Sequence, residues 1–196
     1  MRQMTNSSIS CALSEKELAL EGQLRECYGR VVYSHKTHEK CSDILLSRLA
    51  CIKTWQIILS AVTTGGFAIE IFDIWNIGVF VGGIASTALL VLNTYTKDYD
   101  LGEIAQKHKH AANEIWLIRE KYLSLLTDLR VGSKHLQQVQ EERDRLMGDL
   151  HSIYVGSPST NFKAYTKAQD ALQNKEDMTF SDAEIDAFLP SELKRG

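Results

Sequence analysis

The sequence predicts an all-α membrane protein, in which a two-helix transmembrane hairpin is flanked by long cytoplasmic N- and C-terminal helices that pack like a coiled coil. Three observations predict this class: an abrupt segregation of charge, a long apolar repeat after the uncharged part, and only 2 prolines in 196 residues. The averages conceal it, because 44% hydrophobic residues and a net charge of −3 are typical of a soluble domain.

Basic residues are distributed unevenly along the chain. Of the 22 Lys and Arg residues, 8 lie in residues 1–53, none in 54–96 and 14 in 97–196. Residues 54–72 and 74–96 are predicted to be two membrane helices, because about 20 apolar residues cross the hydrocarbon of a bilayer. A soluble hairpin is disfavoured, since the rest of the chain has too little apolar material to enclose two such helices.

The basic residues on either side of the hairpin predict its orientation. The connection Glu70–Asp73 contains no Lys or Arg, whereas both flanks do. The positive-inside rule then places both termini in the cytoplasm and the connection outside. We expect a multi-pass protein of the cell inner membrane. Direct nucleic-acid binding is not expected, because the chain has no basic excess.

Both flanks of the hairpin are predicted to be helical. An imperfect apolar seam runs from Leu20 to Ile52, and a stronger seam with alternating spacings of three and four runs from Ile115 to Ile153, with a break or bend at Gly132. The partner of this second seam is the N-terminal helix, another protomer, or both. The predicted segments are a tail (1–13), an N-terminal helix (14–53), the hairpin (54–96), a long helical region (97–155), and short helices with a tail (156–196).

Polar and small side chains inside the hairpin are the candidate functional residues. They form a polar stripe on the first helix and a G-x-x-x-G face on the second. Two interpretations stay open: hydrogen bonding between the two helices, or the lining of a pore assembled from several protomers, with an acidic ring at Glu70 and Asp73. The candidates are Gln56, Ser60, Thr63, Glu70, Asp73, Gly78, Gly82, Ser86 and Asn93.

Residues for catalysis are not recognisable. His35 and His38 share a helix face but lack a third metal ligand at a clear spacing. The glycine pairs of the hairpin do not match a phosphate-binding loop. We therefore expect no enzymatic activity, no cofactor and no bound metal.

The segments Cys27–Arg30 and Tyr33–Lys40, the uncharged hairpin and the closing Glu184–Pro190 together resemble the SLATT domain family of bacterial two-transmembrane effectors. The branch linked to reverse transcriptases looks closest. The resemblance implies a pore-forming or membrane-disrupting effector in antiviral or conflict defence, which a partner protein or a nucleotide signal triggers to cause growth arrest or cell death.

The partners expected from this resemblance and from the hairpin are membrane lipid, further copies of the chain, and a sensor, a nucleotide synthase or a reverse transcriptase. An alternative function also stays open. In that case the hairpin only anchors a coiled-coil adaptor or scaffold, which recruits a partner enzyme and forms no pore.

Overall fold

The computed structural model describes residues 15–71, 77–175, 178–190 and 194, with the backbone alone at 69–71 and 77. Every regular element in these residues is an α-helix, which confirms the predicted all-α class. The helices are α1 (Glu15–Ile71), α2 (Ile77–Asp98), α3 (Leu101–Val131), α4 (Leu136–Gly156), α5 (Phe162–Gln173) and α6 (Asp182–Phe188).

Helix α1 is 57 residues long and contains the predicted N-terminal helix and the first apolar segment without a break. Proline is missing from its whole length, so each backbone N–H inside the helix can donate to the carbonyl four residues earlier. The chain divides into two compact units, to which α1 and α3 both contribute. Unit 1 contains the described residues up to Ser34 and Asn113–Gly156, and unit 2 contains His35–Ala112 and the chain from Ser157.

The core of unit 1 is an apolar seam shared by α1, α3 and α4. Leu24 and Val31 of α1 are fully buried, as are Ile115 and Tyr122 of α3 and Leu146 of α4. All five belong to one of the two predicted apolar seams, Leu20 to Ile52 or Ile115 to Ile153. The predicted coiled-coil-like packing is therefore confirmed. The N-terminal helix of the same chain is one partner of the seam.

Helix α3 ends in a Schellman motif. The backbone N–H of Gly132 donates to the carbonyl of Leu129 (3.2 Å), and that of Ser133 donates to the carbonyl of Asp128 (3.0 Å). Gly132 has a φ of +72°, which glycine adopts without steric cost. The predicted interruption at Gly132 is therefore a break between two helices, and α4 begins at Leu136.

Unit 2 contains the hairpin, the beginning of α3 and the short helix α5. Three alanines at helical spacing, Ala164, Ala168 and Ala171, are buried along α5. Asn161 caps this helix by accepting from the N–H of Ala164 (2.9 Å), and its amide donates to the Cys41 Sγ of α1 at 3.8 Å. Small side chains thus let α5 pack closely on α1.

A capping box precedes α6. The backbone N–H of Ser181 donates to the Glu184 carboxylate (2.8 Å), while the Ser181 hydroxyl accepts from the N–H of Glu184 (3.3 Å).

Replacing Leu125 by Ala should destabilise unit 1 by about 2–5 kcal/mol, because this buried side chain would leave a cavity in the seam. Leu123→Ala is the matched control, since Leu123 lies two residues away and is 45% exposed. Its cost should stay below about 1 kcal/mol. Thermal unfolding of the full chain in detergent, followed by circular dichroism, measures both; equal costs would contradict the assignment of the seam.

Candidate functional site

The hairpin formed by residues 54–71 of α1 and by α2 presents large apolar side chains outward. Ile57, Phe80 and Leu90 are 71%, 72% and 66% exposed. Exposed apolar patches of this kind are unusual on soluble monomers. Within the described residues, two helical segments are long and apolar enough to cross a membrane, Glu15–Ala68 and Gly78–Val131. The outer surface of the hairpin is therefore suited to lipid.

The two helices of the hairpin approach each other closely at Gly66. A Cβ atom on Gly66 would lie 2.8 Å from the carbonyl oxygen of Gly78 and 3.3 Å from the Cα of Gly82. Both neighbours are backbone atoms of α2, so no side-chain rotation could relieve the overlap. Gly66 on α1 therefore fits against the G-x-x-x-G face of α2.

A hydrogen bond joins the two helices at the other end of the hairpin. The Gln56 side-chain amide donates to the Asn93 Oδ1 at 2.8 Å, and the same nitrogen lies 3.4 Å from the Thr96 Oγ1. A polar pair of this kind satisfies groups that hydrocarbon cannot solvate.

A shallow, open groove of about 890 Å³ lies on one side of the hairpin. We call it the polar groove because hydroxyl and amide side chains contribute to its lining, although most of its exposed surface is apolar. Ser60, Thr64 and Asn93 are exposed in it, although they lie in the uncharged segment. The hydroxyl of Thr64 donates to the backbone carbonyl of Ser60 (3.0 Å), and the Asn93 Oδ1 accepts from Gln56. The lining residues are Lys53, Gln56, Ile57, Ser60, Ala61, Thr64, Gly65, Leu89 and Asn93.

Five of the residues predicted from the sequence lie either in the polar groove or at the contact between the helices. Gln56, Ser60 and Asn93 line the polar groove, and Gly78 and Gly82 lie at the contact between the helices. Thr63 is half-buried and donates to the carbonyl of Leu59, in its own helix, at 2.8 Å. Ser86 is exposed and does not line the groove. The side chain of Glu70 and the whole of Asp73 lie outside the described residues.

Two residues of the hairpin were missed by the sequence analysis. Gly66 is the counterpart of the G-x-x-x-G motif, and Thr64 joins Gln56 and Ser60 in the groove. The Thr64-Gly65-Gly66 run carried a signal, because a small-residue motif on one membrane helix needs small residues on its partner. Periodicity along one helix cannot show which of two adjacent glycines faces the other helix.

A buried histidine pair lies in unit 2, outside the hairpin. The Nδ1 atoms of His38 and His108 are 3.1 Å apart, so one nitrogen donates and the other accepts. A proton on the accepting nitrogen would place two N–H groups against each other. Burial, together with the smaller effects of the nearby His108 and His35, lowers the pKa of His38 to about 4. Burial also lowers the pKa of His108.

Charged residues lie next to this pair in the sequence. Glu39 accepts from Lys109 at 3.0 Å and from Lys36 at 3.2 Å. Burial alone would raise the pKa of Glu39, but these two hydrogen bonds and the nearby charges of His35 and Lys36 together lower the pKa below its usual range. The described residues contain no group of three or more His, Cys, Asp or Glu side chains placed to hold a metal ion.

Comparison with protein-family models gave one reported match. Residues 20–184 match the model described as SMODS and SLOG-associating 2TM effector domain family 4. Neither curated proteins nor solved structures gave a match.

Gly66→Ala should weaken the hairpin by about 1–3 kcal/mol, because its methyl group would overlap the backbone of α2. Gly65→Ala is the matched control, since a Cβ there meets nothing within 4 Å. Thermal unfolding of both variants in the same detergent measures the difference. The proposed contact fails if Gly65→Ala costs as much as Gly66→Ala.

Stability of the full chain should fall as the pH falls from about 6.5 towards 4. In the unfolded chain, His38 and His108 bind protons near the ordinary histidine pKa of about 6.5. In the folded chain they bind protons only at lower pH, so protonation favours unfolding. The thermal midpoint at pH 7.5 and pH 5 measures this. The double variant His38→Asn/His108→Asn should show a smaller difference between the two pH values, and His151→Asn, at an exposed position, should leave it unchanged.

Proposed function

Because this chain belongs to the SMODS and SLOG-associating two-transmembrane effector domain family, we propose that it is a membrane effector of bacterial defence whose hairpins assemble into a pore. The match covers 165 of the 196 residues, which include the hairpin and most of both flanks. Opening of the pore would dissipate ion gradients and cause growth arrest or cell death.

The polar groove of the hairpin is the observation that carries this proposal. Exposed hydroxyl and amide side chains at membrane depth face protein or water, since lipid cannot satisfy them. One hairpin has too few helices to enclose a channel, so further copies of the chain are needed to cover the groove. The exposed members of the groove, Ser60, Thr64 and Asn93, would then line the opening.

Several finer features belong to the same proposal. The basic residues of the flanks support an inner-membrane location with both termini in the cytoplasm, and the acidic Glu70 and Asp73 would then favour cations at the outer mouth. A sensor, a nucleotide synthase or a reverse transcriptase would supply the trigger. Its signal would reach the hairpin through the cytoplasmic helices.

A groove on unit 1 favours a second candidate function, that of an adaptor. It encloses about 460 Å³ and places Leu123, Leu126 and Val131 beside Arg25 and Arg130. Val131 is 75% exposed, so the groove offers apolar surface to a helix of another protein. In this case the hairpin would act as an anchor only.

Proteoliposomes that contain the full-length chain should release trapped K⁺, and Ser60→Leu/Thr64→Leu should abolish the release because it replaces two exposed hydroxyl side chains of the groove by larger apolar ones. Val62→Leu is the control, since Val62 is exposed, apolar and outside the groove. Protease protection must first show that every variant is inserted. An inserted wild-type chain that releases no K⁺, alone or with its trigger, would refute the pore.

A hairpin exchange separates the two functions in cells. Replacement of residues 54–96 by an unrelated two-span hairpin should abolish growth arrest if the chain forms a pore. An adaptor should keep its effect after the exchange, because it needs the hairpin only as an anchor.

A further inference from the structure

A second cavity lies in unit 2, and none of its lining residues belongs to the hairpin or to the histidine pair. It encloses about 620 Å³ between α1 and α5, which is within the range of small-molecule sites, about 300–1,000 Å³. We call it the basic cavity, because five of its eleven lining residues are Lys or Arg. The lining residues are Lys40, Asp43, Ile44, Ser47, Arg48, Cys51, Lys163, Lys167, Asp170, Ala171 and Lys175.

Only two of these five cations are compensated by the carboxylates of the cavity. Lys40 pairs with Asp43 at 3.7 Å, and Lys175 pairs with Asp170 at 2.8 Å. Within the part of the chain that the structure describes, no carboxylate lies within ion-pair distance of the other three, Arg48, Lys163 and Lys167. The cavity thus carries an excess of three positive charges in a chain whose net charge is −3.

Docking of α5 creates this concentration of charge. The buried alanines of α5 face the protein, and Lys163 and Lys167 are four residues apart, on one side of the same helix. Like charges at this spacing repel each other. An arrangement that brings them towards Arg48 of α1 is favourable when an anion lies between the three side chains.

The cavity also lies close to the membrane segment. Its α1 residues, Lys40 to Cys51, precede Thr54, so at 1.5 Å per residue they lie about 5 to 20 Å along the helix from the start of the first span. Clusters of four to eight basic residues immediately beside a membrane helix are typical of binding to anionic headgroups. A soluble phosphate compound presents the same chemistry to the same side chains.

We propose that the basic cavity binds the phosphate group of an anionic ligand, with Arg48, Lys163 and Lys167 as its direct contacts. The Arg48 guanidinium supplies a planar pair of N–H donors, and the two lysines supply ammonium donors. The ligand is either a phospholipid headgroup or a soluble phosphate compound. The site does not require the hairpin to form a pore, so it stands or falls separately from the proposed function.

Isothermal titration calorimetry on the full-length chain in uncharged detergent tests the site. The probes are dihexanoyl-phosphatidylglycerol, the matching phosphatidylcholine, and inorganic phosphate at constant ionic strength. Saturable binding of phosphatidylglycerol but not of phosphatidylcholine or inorganic phosphate would identify a lipid site. Binding of inorganic phosphate would identify a site for soluble phosphate compounds.

Lys163→Gln/Lys167→Gln should weaken the binding at least about tenfold, because two charge-assisted contacts are lost. Lys107→Gln/Lys134→Gln removes the same charge from exposed positions outside the cavity and should change Kd by less than about twofold. Arg48→Gln on α1 gives an independent variant. Wild-type protein that binds neither anionic probe, or an equal loss in the control, overturns the proposal.

Discussion

The approach of α1 and α2 at Gly66 is the contact on which the hairpin depends. Lipid tails are as apolar as the helix surfaces, so the hydrophobic effect does not drive two helices together inside a bilayer. Close packing and hydrogen bonds must supply the association instead. The absence of a side chain at Gly66 allows close packing of the two helices, and Gln56 and Asn93 form a hydrogen bond between them. In the proposed pore, further copies of the chain cover the groove that this contact leaves exposed.

The two units are stabilised in different ways. The core of unit 1 consists of large apolar side chains such as Leu24, Tyr122 and Leu146, for which burial supplies the free energy. Most buried residues of unit 2 are alanines, histidines and hydroxyl-bearing side chains, and Cys41, Leu101 and Lys36 are buried with them. Polar interiors of this kind are stable only while each group keeps its partner. The buried histidine pair therefore makes the stability of unit 2 sensitive to protonation, whereas the seam of unit 1 is mainly aliphatic.

Much of the fold could be predicted because it depends on patterns within one helix. The seam from Ile115 to Ile153 and the break at Gly132 follow from local periodicity and backbone conformation, and both are confirmed. The pairs between helices could not be predicted in this way. His38 and His108 are 70 residues apart, and no local pattern around either histidine predicts their contact. The basic cavity was missed for the same reason, since only the docking of α5 brings its lysines to α1.

The core of unit 1 can form only after the hairpin has been synthesised, because segments from both sides of the hairpin contribute to it. Leu24 precedes the hairpin and Tyr122 follows it, yet both pack in one core. Their two segments must therefore end on the same side of the bilayer, which requires an even number of crossings whatever the orientation. The core also cannot close until α3 has been synthesised, after both spans have left the ribosome. Correct insertion is thus a precondition for folding of unit 1, and a chain that crossed the membrane once would leave half of the seam without its counterpart.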